Sequence, residues 1–274
     1  MKPGVSEPAQ ENRRMQPHLN KSSLQHPAGN DTASRRNGDL IQLTRKGVVF
    51  SGSAADLRAM RAQFQRNHYI LLPKLIEPGL LATILARIEA APSVKKEYDG
   101  VAAESTIEDP ITYHLFLFLL GNPEFQRLVQ RITGCRRIAE FTGRIYRLNP
   151  ATGERIVWHT DACDHRMVTF SLNLTAQEYR GGTLQIRYRG SEEILHEVRN
   201  TGLGDALLMR VANKLYHRVL PVEGAVPRTA LAGWFRWEKG NVNFHDAVRK
   251  ASRVSSAKLR RVETESADST ARRR

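Results

Sequence analysis

Between Glu140 and Trp237 the chain is a series of short segments with β character: FTGRIYRLN, RIVWHTD, MVTFSLNLT, GTLQIRYR, ILHEV, DALLMRV, LYHRVLPV and TALAGWFRW. Gly, Asn, Asp and Pro punctuate them at intervals of about ten residues. Strands alternating with long helical patterns would mark a βαβ sheet; eight short strands with turn signals at this spacing mark a sandwich or jelly roll.

The residues before this region read differently. Order is expected to begin near Gly47, with GVVFSG as a short strand. SAAD at 53–56 has the form of a capping box, Ser53 as N-cap and Asp56 three residues on, opening a helix to about Arg66. HYILLP, 68–73, is a strand stopped by Pro73, and EPGLLATILARIEAAP is a helix with Pro78 near its start. Residues 93–108 are polar and read as a loop, a candidate lid. DPITYHLFLFLLG and NPEFQRLVQRITG are two further helices, each opened by an Asp/Asn-Pro pair and closed by glycine. The fold class is therefore α+β: a double-stranded β-helix (jelly roll) core with an N-terminal helical layer. The helical support covers 46–138 and the jelly roll 139–240, in one domain over 46–246.

Residues 1–45 and 247–274 are rich in polar residues, with isolated apolar ones at no period, and read as disordered basic tails. They hold most of the charge. The net charge is +14, yet residues 1–46 carry eight Lys/Arg against four Asp/Glu, and 247–274 carry nine against three. The body is close to balanced, so nucleic-acid contact is expected to be weak and confined to the tails. Two cysteines, Cys135 and Cys163, form no CxxC pattern and suit a reducing compartment. No apolar run is long enough to span a membrane, and MKPGVSEPAQENRR lacks a signal-peptide core, so a cytoplasmic location is expected.

The stretch WHTDACDHRM, Trp158–Met167, carries two histidines, two aspartates and a cysteine. His159 and Asp161 are one residue apart, so on an extended chain both side chains leave the same face and can meet one cation. Alone, an H-x-D is weak. A second imidazole comes from His217, in the apolar segment LYHRVLPV, where a polar ring needs a partner or a ligand. Eleven residues on, Arg228 opens the last strand, from which its guanidinium can point into the barrel toward a dicarboxylic cosubstrate. Two histidines and one carboxylate on one face of an octahedron leave three positions open, the arrangement of non-haem Fe(II) oxygenases.

The run YRLNPATGERIVWHTDA, followed by GGTLQI, YHRVLPV and PRTALAGWF, resembles the 2-oxoglutarate/Fe(II)-dependent dioxygenase superfamily, in its prolyl-4-hydroxylase-like branch. The resemblance covers about 140–237. It implies His159, Asp161 and His217 as iron ligands, Arg228 as the partner of the distal carboxylate of 2-oxoglutarate, and Tyr146 as a cosubstrate contact. It implies Fe(II), 2-oxoglutarate and O₂ as the reacting set, with ascorbate as support, and hydroxylation of a small-molecule or peptidyl substrate such as an amino acid. Asp161 speaks for hydroxylation or another two-electron oxidation, because halogenating relatives lose this carboxylate. Gly181 and Gly182 match a pair that opens the next strand.

Other ligand-type residues carry less. Asp164 and His165 are expected on a loop facing solvent, and Cys163 is expected to be a buried thiol. His196 and the His245–Asp246 pair have no partners at metal spacing. Arg144, Arg147, Arg155 and Arg166 flank the site in sequence; one or more could hold an anionic substrate group, and exposed charges on strand edges are the simpler account. Two rival functions remain, a non-oxidative cupin-like metal protein and a basic-tailed nucleic-acid-associated protein. Arg228 and the absence of the cupin histidine pattern argue against the first, and the balanced body argues against the second.

Overall fold

The computed structural model describes residues 39–98, 100–199 and 201–238. The tail expected over 247–274, and that over 1–45 as far as residue 38, lie outside them. Order starts earlier than Gly47: β1 (Ile41–Thr44) pairs with β2 (Gly47–Phe50) as a hairpin. Ile41 and Leu43 alternate into the core, and Leu43 exchanges backbone hydrogen bonds with Leu75 and Glu77.

Helix α1 (Ala54–Asn67) opens on the expected capping box. The Asp56 amide donates to Ser53 Oγ at 3.2 Å and the Ser53 amide to Asp56 Oδ2 at 2.7 Å. It is followed by β3 (Tyr69–Leu72) and α2 (Pro78–Ala90). The polar stretch expected as a lid is instead a hairpin of β4 (Ser93–Tyr98) and β5 (Ala102–Ile107), with all six residues of β5 buried. Two of its polar side chains are paired with distant partners: Glu104 accepts from Arg144, and Ser105 Oγ donates to Glu154 at 2.6 Å. A strand whose polar groups are paired from elsewhere has no apolar alternation to reveal it. The helical pair follows as expected, α3 (Pro110–Leu120) and α4 (Pro123–Thr133).

The strands after Gly134 are β6 (Glu140–Leu148), β7 (Arg155–His159), β8 (Arg166–Asn173), β9 (Arg180–Gly181), β10 (Leu184–Tyr188), β11 (Ile194–Val198), β12 (Ala206–Arg210), β13 (Leu215–Val219), β14 (Val222–Glu223) and β15 (Arg228–Arg236). They run antiparallel in the order β11-β10-β13-β7-β5-β6-β15-β8-β12-β3, with β4 paired to β5 and with β9 and β14 forming a short pair apart. The jelly roll is present, but it is not made only of C-terminal strands. β3 closes one edge, and β5 joins its two halves by pairing with both β6 and β7.

Period-two alternation divides the sheet into two chemistries. Phe141 and Ile145 of β6, Val168, Phe170 and Leu172 of β8, and Leu231 and Phe235 of β15 pack in one core with the helical Phe64, Phe116 and Phe125. The opposite face of the same strands presents Arg144 and Tyr146, Thr169 and Ser171, and Arg228, Ala232 and Trp234 to a cavity. Gly233 stands opposite Gly143 in register on the core face. A Cβ at Gly233 would lie 2.3 Å from the Thr142 carbonyl oxygen and 2.5 Å from Phe141 Cζ, so the Phe141 ring occupies the space the glycines leave. Gly233→Ala is expected to lower stability by about 1–3 kcal/mol, read as a lower urea midpoint at unchanged m-value. An unmoved midpoint would mean that the strand pair opens freely to admit a methyl group.

Candidate metal centre

His159 is the last residue of β7 and His217 the middle residue of β13, and the two are direct cross-strand partners. Register brings their rings together, with centroids 4.2 Å apart. Asp161 does not share a strand with His159, as the spacing suggested, because β7 ends at His159. It sits in the turn beyond, where the Cys163 amide donates to its carbonyl at 2.7 Å. Its carboxylate still reaches both rings: Oδ1 lies 3.5 Å from His159 Nε2 and Oδ2 3.6 Å from His217 Nε2. One ligand atom from each of the three residues lies within 4.8 Å of the other two.

Each of these groups is oriented by a second contact. His159 Nδ1 lies 2.8 Å from the Val157 carbonyl, which can only accept, so Nδ1 carries a proton and Nε2 is the ring nitrogen turned toward Asp161. Thr169 Oγ1 donates to Asp161 Oδ2 at 2.6 Å. Burial, set against the attraction of Asp161, pushes the His217 pKa down to about 4, so the ring is neutral at physiological pH. Burial also works to raise the pKa of Asp161, but His217, His159 and the Thr169 hydroxyl outweigh it and hold the carboxyl well below the usual carboxylate range. Two imidazoles and one carboxylate, all converging, form a donor set suited to a divalent iron.

The three side chains line a cavity of about 330 Å³ that also holds Arg228 and Tyr146. Arg228 NH1 donates to the Tyr146 hydroxyl at 2.5 Å, and Tyr146 is only 2% exposed. Gly182 (φ +61°) fits against Arg228 and Tyr179: a Cβ there would lie 3.0 Å from Arg228 Cδ and 2.9 Å from Tyr179 Cε2. The glycine leaves room for the arginine stem.

The remaining candidates separate. Cys163 is exposed and lines the cavity, contrary to the expected buried thiol, because the turn after Asp161 turns it outward. Asp164 and His165 are both exposed, as expected, and His165 lies edge-on to Trp237 with centroids 4.5 Å apart. His196 stacks on Tyr69, away from the metal centre. His245 and Asp246 lie outside the described residues. Arg147 reaches Thr229 and Glu89, and Arg155 is exposed. Arg144 and Arg166 are not strand-edge charges, since both line the cavity. Sequence reading passed over Glu104, Thr169 and Trp234. A signal existed for Trp234, which is an even number of residues from Arg228 and so shares its face of β15.

Residues 143–236 match the family model of the 2OG-Fe(II) oxygenase superfamily. This segment belongs to that superfamily. The oxygenase therefore uses Fe(II), 2-oxoglutarate and O₂, and acts on a small-molecule or peptide substrate. No curated protein sequence matches the chain. Among solved structures, it is similar to an oxidoreductase of the 2OG-Fe(II) oxygenase family from Burkholderia pseudomallei, with a TM-score of 0.52 and 20% identity over 73% of this chain and 97% of that one. A Pseudomonas putida prolyl-4-hydroxylase gives 0.51 and 18% over 67% and 100%. A Trichoplax adhaerens prolyl hydroxylase, solved with a fragment of the hypoxia inducible factor oxygen degradation domain, gives 0.50 and 15% over 68% and 94%. At such identities the likeness is one of fold, and it is the jelly roll expected from the strand pattern. Among the described residues, no helix of the oxygenase is long and apolar enough to cross a membrane.

Proposed function

We propose that His159, Asp161 and His217 are the protein ligands of the iron, that Arg228 with Tyr146 receives the distal carboxylate of 2-oxoglutarate, and that the oxygenase hydroxylates a C–H bond. The substrate is an amino acid, a peptidyl side chain or a small metabolite. One observation carries this reading: three ligand atoms converge in the same cavity as an arginine that donates to the Tyr146 hydroxyl and, among the described residues, is paired with no carboxylate. When bound, iron couples reduction of O₂ and decarboxylation of 2-oxoglutarate to oxidation of the substrate, giving succinate, CO₂ and the hydroxylated product.

The chain supplies geometry around that chemistry. The Val157 carbonyl fixes the His159 tautomer, and Thr169 holds one oxygen of Asp161 in place. Arg228 offers a planar pair of donors to a carboxylate, and Tyr146 positions that guanidinium. Ile156, Leu184, Met209 and Val219 give the cavity apolar walls that limit water around the reacting groups. A cytoplasmic setting fits the two unpaired cysteines, and the flanking basic tails are read as accessory to a domain over 46–246.

The test is succinate formation from 2-oxoglutarate with Fe(II) and ascorbate, in the wild-type protein and in Arg228→Ala. The variant is expected to raise the KM for 2-oxoglutarate about 100-fold, because a two-pronged, charge-assisted contact is lost. Arg228→Lys is expected to recover part of it. An unchanged KM in Arg228→Ala would remove Arg228 from cosubstrate binding.

A further inference from the structure

The cavity contains two arginines besides Arg228, and their partners differ. Arg144 is spoken for: its Nε and NH2 both donate to the carboxylate of Glu104, which is fully buried. Arg166 has no such partner. Its guanidinium lies over the ring of Trp234, with Cζ 3.7 Å from the centroid. Its ion-pair neighbours are Asp161 Oδ1 at 3.8 Å and the exposed Asp164 Oδ2 at 3.6 Å, both longer than hydrogen bonds. Asp164 is screened by solvent, and Asp161 faces the metal centre.

Charge balance points the same way. The cavity region holds three cations, Arg144, Arg166 and Arg228, and two carboxylates, Glu104 and Asp161. A divalent ion and a dianionic cosubstrate cancel each other. Apart from the exposed Asp164, 3.6 Å from Arg166, the cavity region offers no further carboxylate among the described residues to meet the remaining positive charge. It belongs to Arg166. Beside it, the buried Trp234 Nε1–H has no acceptor among the described residues.

The position is specific. Trp234 is the register partner of Thr169, the residue that clamps Asp161, so the Arg166–Trp234 stack borders the metal centre. Arg228 is six residues away along β15, about 20 Å of extended strand, at the other end of the cavity. An anion held by Arg166 would thus sit beside the metal on the side away from the cosubstrate arginine.

We propose that Arg166, stacked on Trp234, anchors the primary substrate through a carboxylate, so that the oxidised carbon lies within a few bonds of that group. The inference rests on the iron and 2-oxoglutarate reading of the site. The carboxylate can belong to a small acid or to a peptide, as a C-terminus or an acidic side chain.

The test uses the full chain loaded with Mn(II) and saturating 2-oxoglutarate, without O₂, and titrated with acetate. The readout is paramagnetic relaxation of the acetate methyl protons, with acetamide as the uncharged control. Acetate is expected to be relaxed in a saturable way and acetamide not. Arg166→Gln is expected to weaken acetate binding about ten-fold or more, with Arg166→Lys intermediate. N-acetyl-triglycine and N-acetyl-aspartate methylamide then distinguish the sources: either binding more tightly than acetate assigns a peptide, and neither doing so assigns a small acid. The proposal is overturned if acetamide matches acetate, if Arg166→Gln keeps acetate, or if Arg166→Gln loses 2-oxoglutarate instead. It is also overturned if acetate is not relaxed although Mn(II) and 2-oxoglutarate are bound. Failure of Mn(II) or 2-oxoglutarate to bind the wild-type protein, seen in the same samples, would sink the underlying site reading and this inference with it.

Discussion

Asp161→Ala is expected to abolish turnover, lowering succinate formation by about a thousand-fold or more. Groups that merely orient a ligand change metal affinity or activity by about 10–100-fold. Asp161 supplies the only negative charge of the converging trio, and its loss should exceed that range. The two histidines would remain, held by the β7–β13 register and by the Val157 carbonyl, but with no carboxylate beside them. The loss is readable without turnover. Mn(II) at about 100 times its dissociation constant should stabilise the wild-type protein by about 2.7 kcal/mol, and the variant by almost nothing at the same concentration. Asp161→Asn, which keeps the shape and the Thr169 contact, should resemble alanine in this respect, because it is the charge that is missing. A metal-dependent rise in Tm that survives in both variants would move the ion elsewhere.

Glu104→Ala should have the largest effect on stability. Glu104 is 0% exposed and forms a two-pronged pair with Arg144, whose guanidinium also lies 5.1–5.9 Å from the rings of Tyr98, Tyr146 and Trp234. Deleting the carboxylate leaves a guanidinium in a largely enclosed wall with nothing to compensate it. Removing one partner of a buried pair costs about 3–5 kcal/mol, much of it the cost of the charge left behind. The expected result is a marked drop in the urea midpoint. Formate, which restores a carboxylate to the vacated space, should recover part of the loss, whereas chloride at equal ionic strength should recover less. Replacing both partners together, as Glu104→Leu with Arg144→Met, should cost less than Glu104→Ala alone. Equal stability of Glu104→Ala and the wild type would show that Arg144 reaches solvent or another anion freely.

These two residues also mark how far the sequence could be read. Asp161 was legible because it lies two positions from His159 in a ten-residue stretch dense with ligand-type side chains. Glu104 was not. It belongs to AAESTI, a polar stretch that reads as loop, and it is buried only because Arg144, forty residues later, neutralises it. Pattern-based reading detects strands by apolar alternation, so a strand made of paired polar residues escapes it. The same limit applies to Arg144 and Arg166. An arginine on a strand is usually exposed, and only the neighbours on the adjacent strands, Glu104 for one and Trp234 for the other, make these two interior.

The sequence alone determined the jelly-roll class, the helices that precede it with their Ser53 and proline starts, and a set of metal-type and anion-binding residues in a fixed order. Those features are local: strand length, turn spacing, caps and the chemistry of single side chains are written within about ten residues. The tertiary structure decided that His217 stands opposite His159, that β5 completes the sheet, and that of the cavity arginines Arg144 pairs with the buried Glu104 and Arg166 stacks on Trp234. Register and charge pairing join residues 40 to 80 positions apart, and a linear chain carries no record of which of its distant groups will meet.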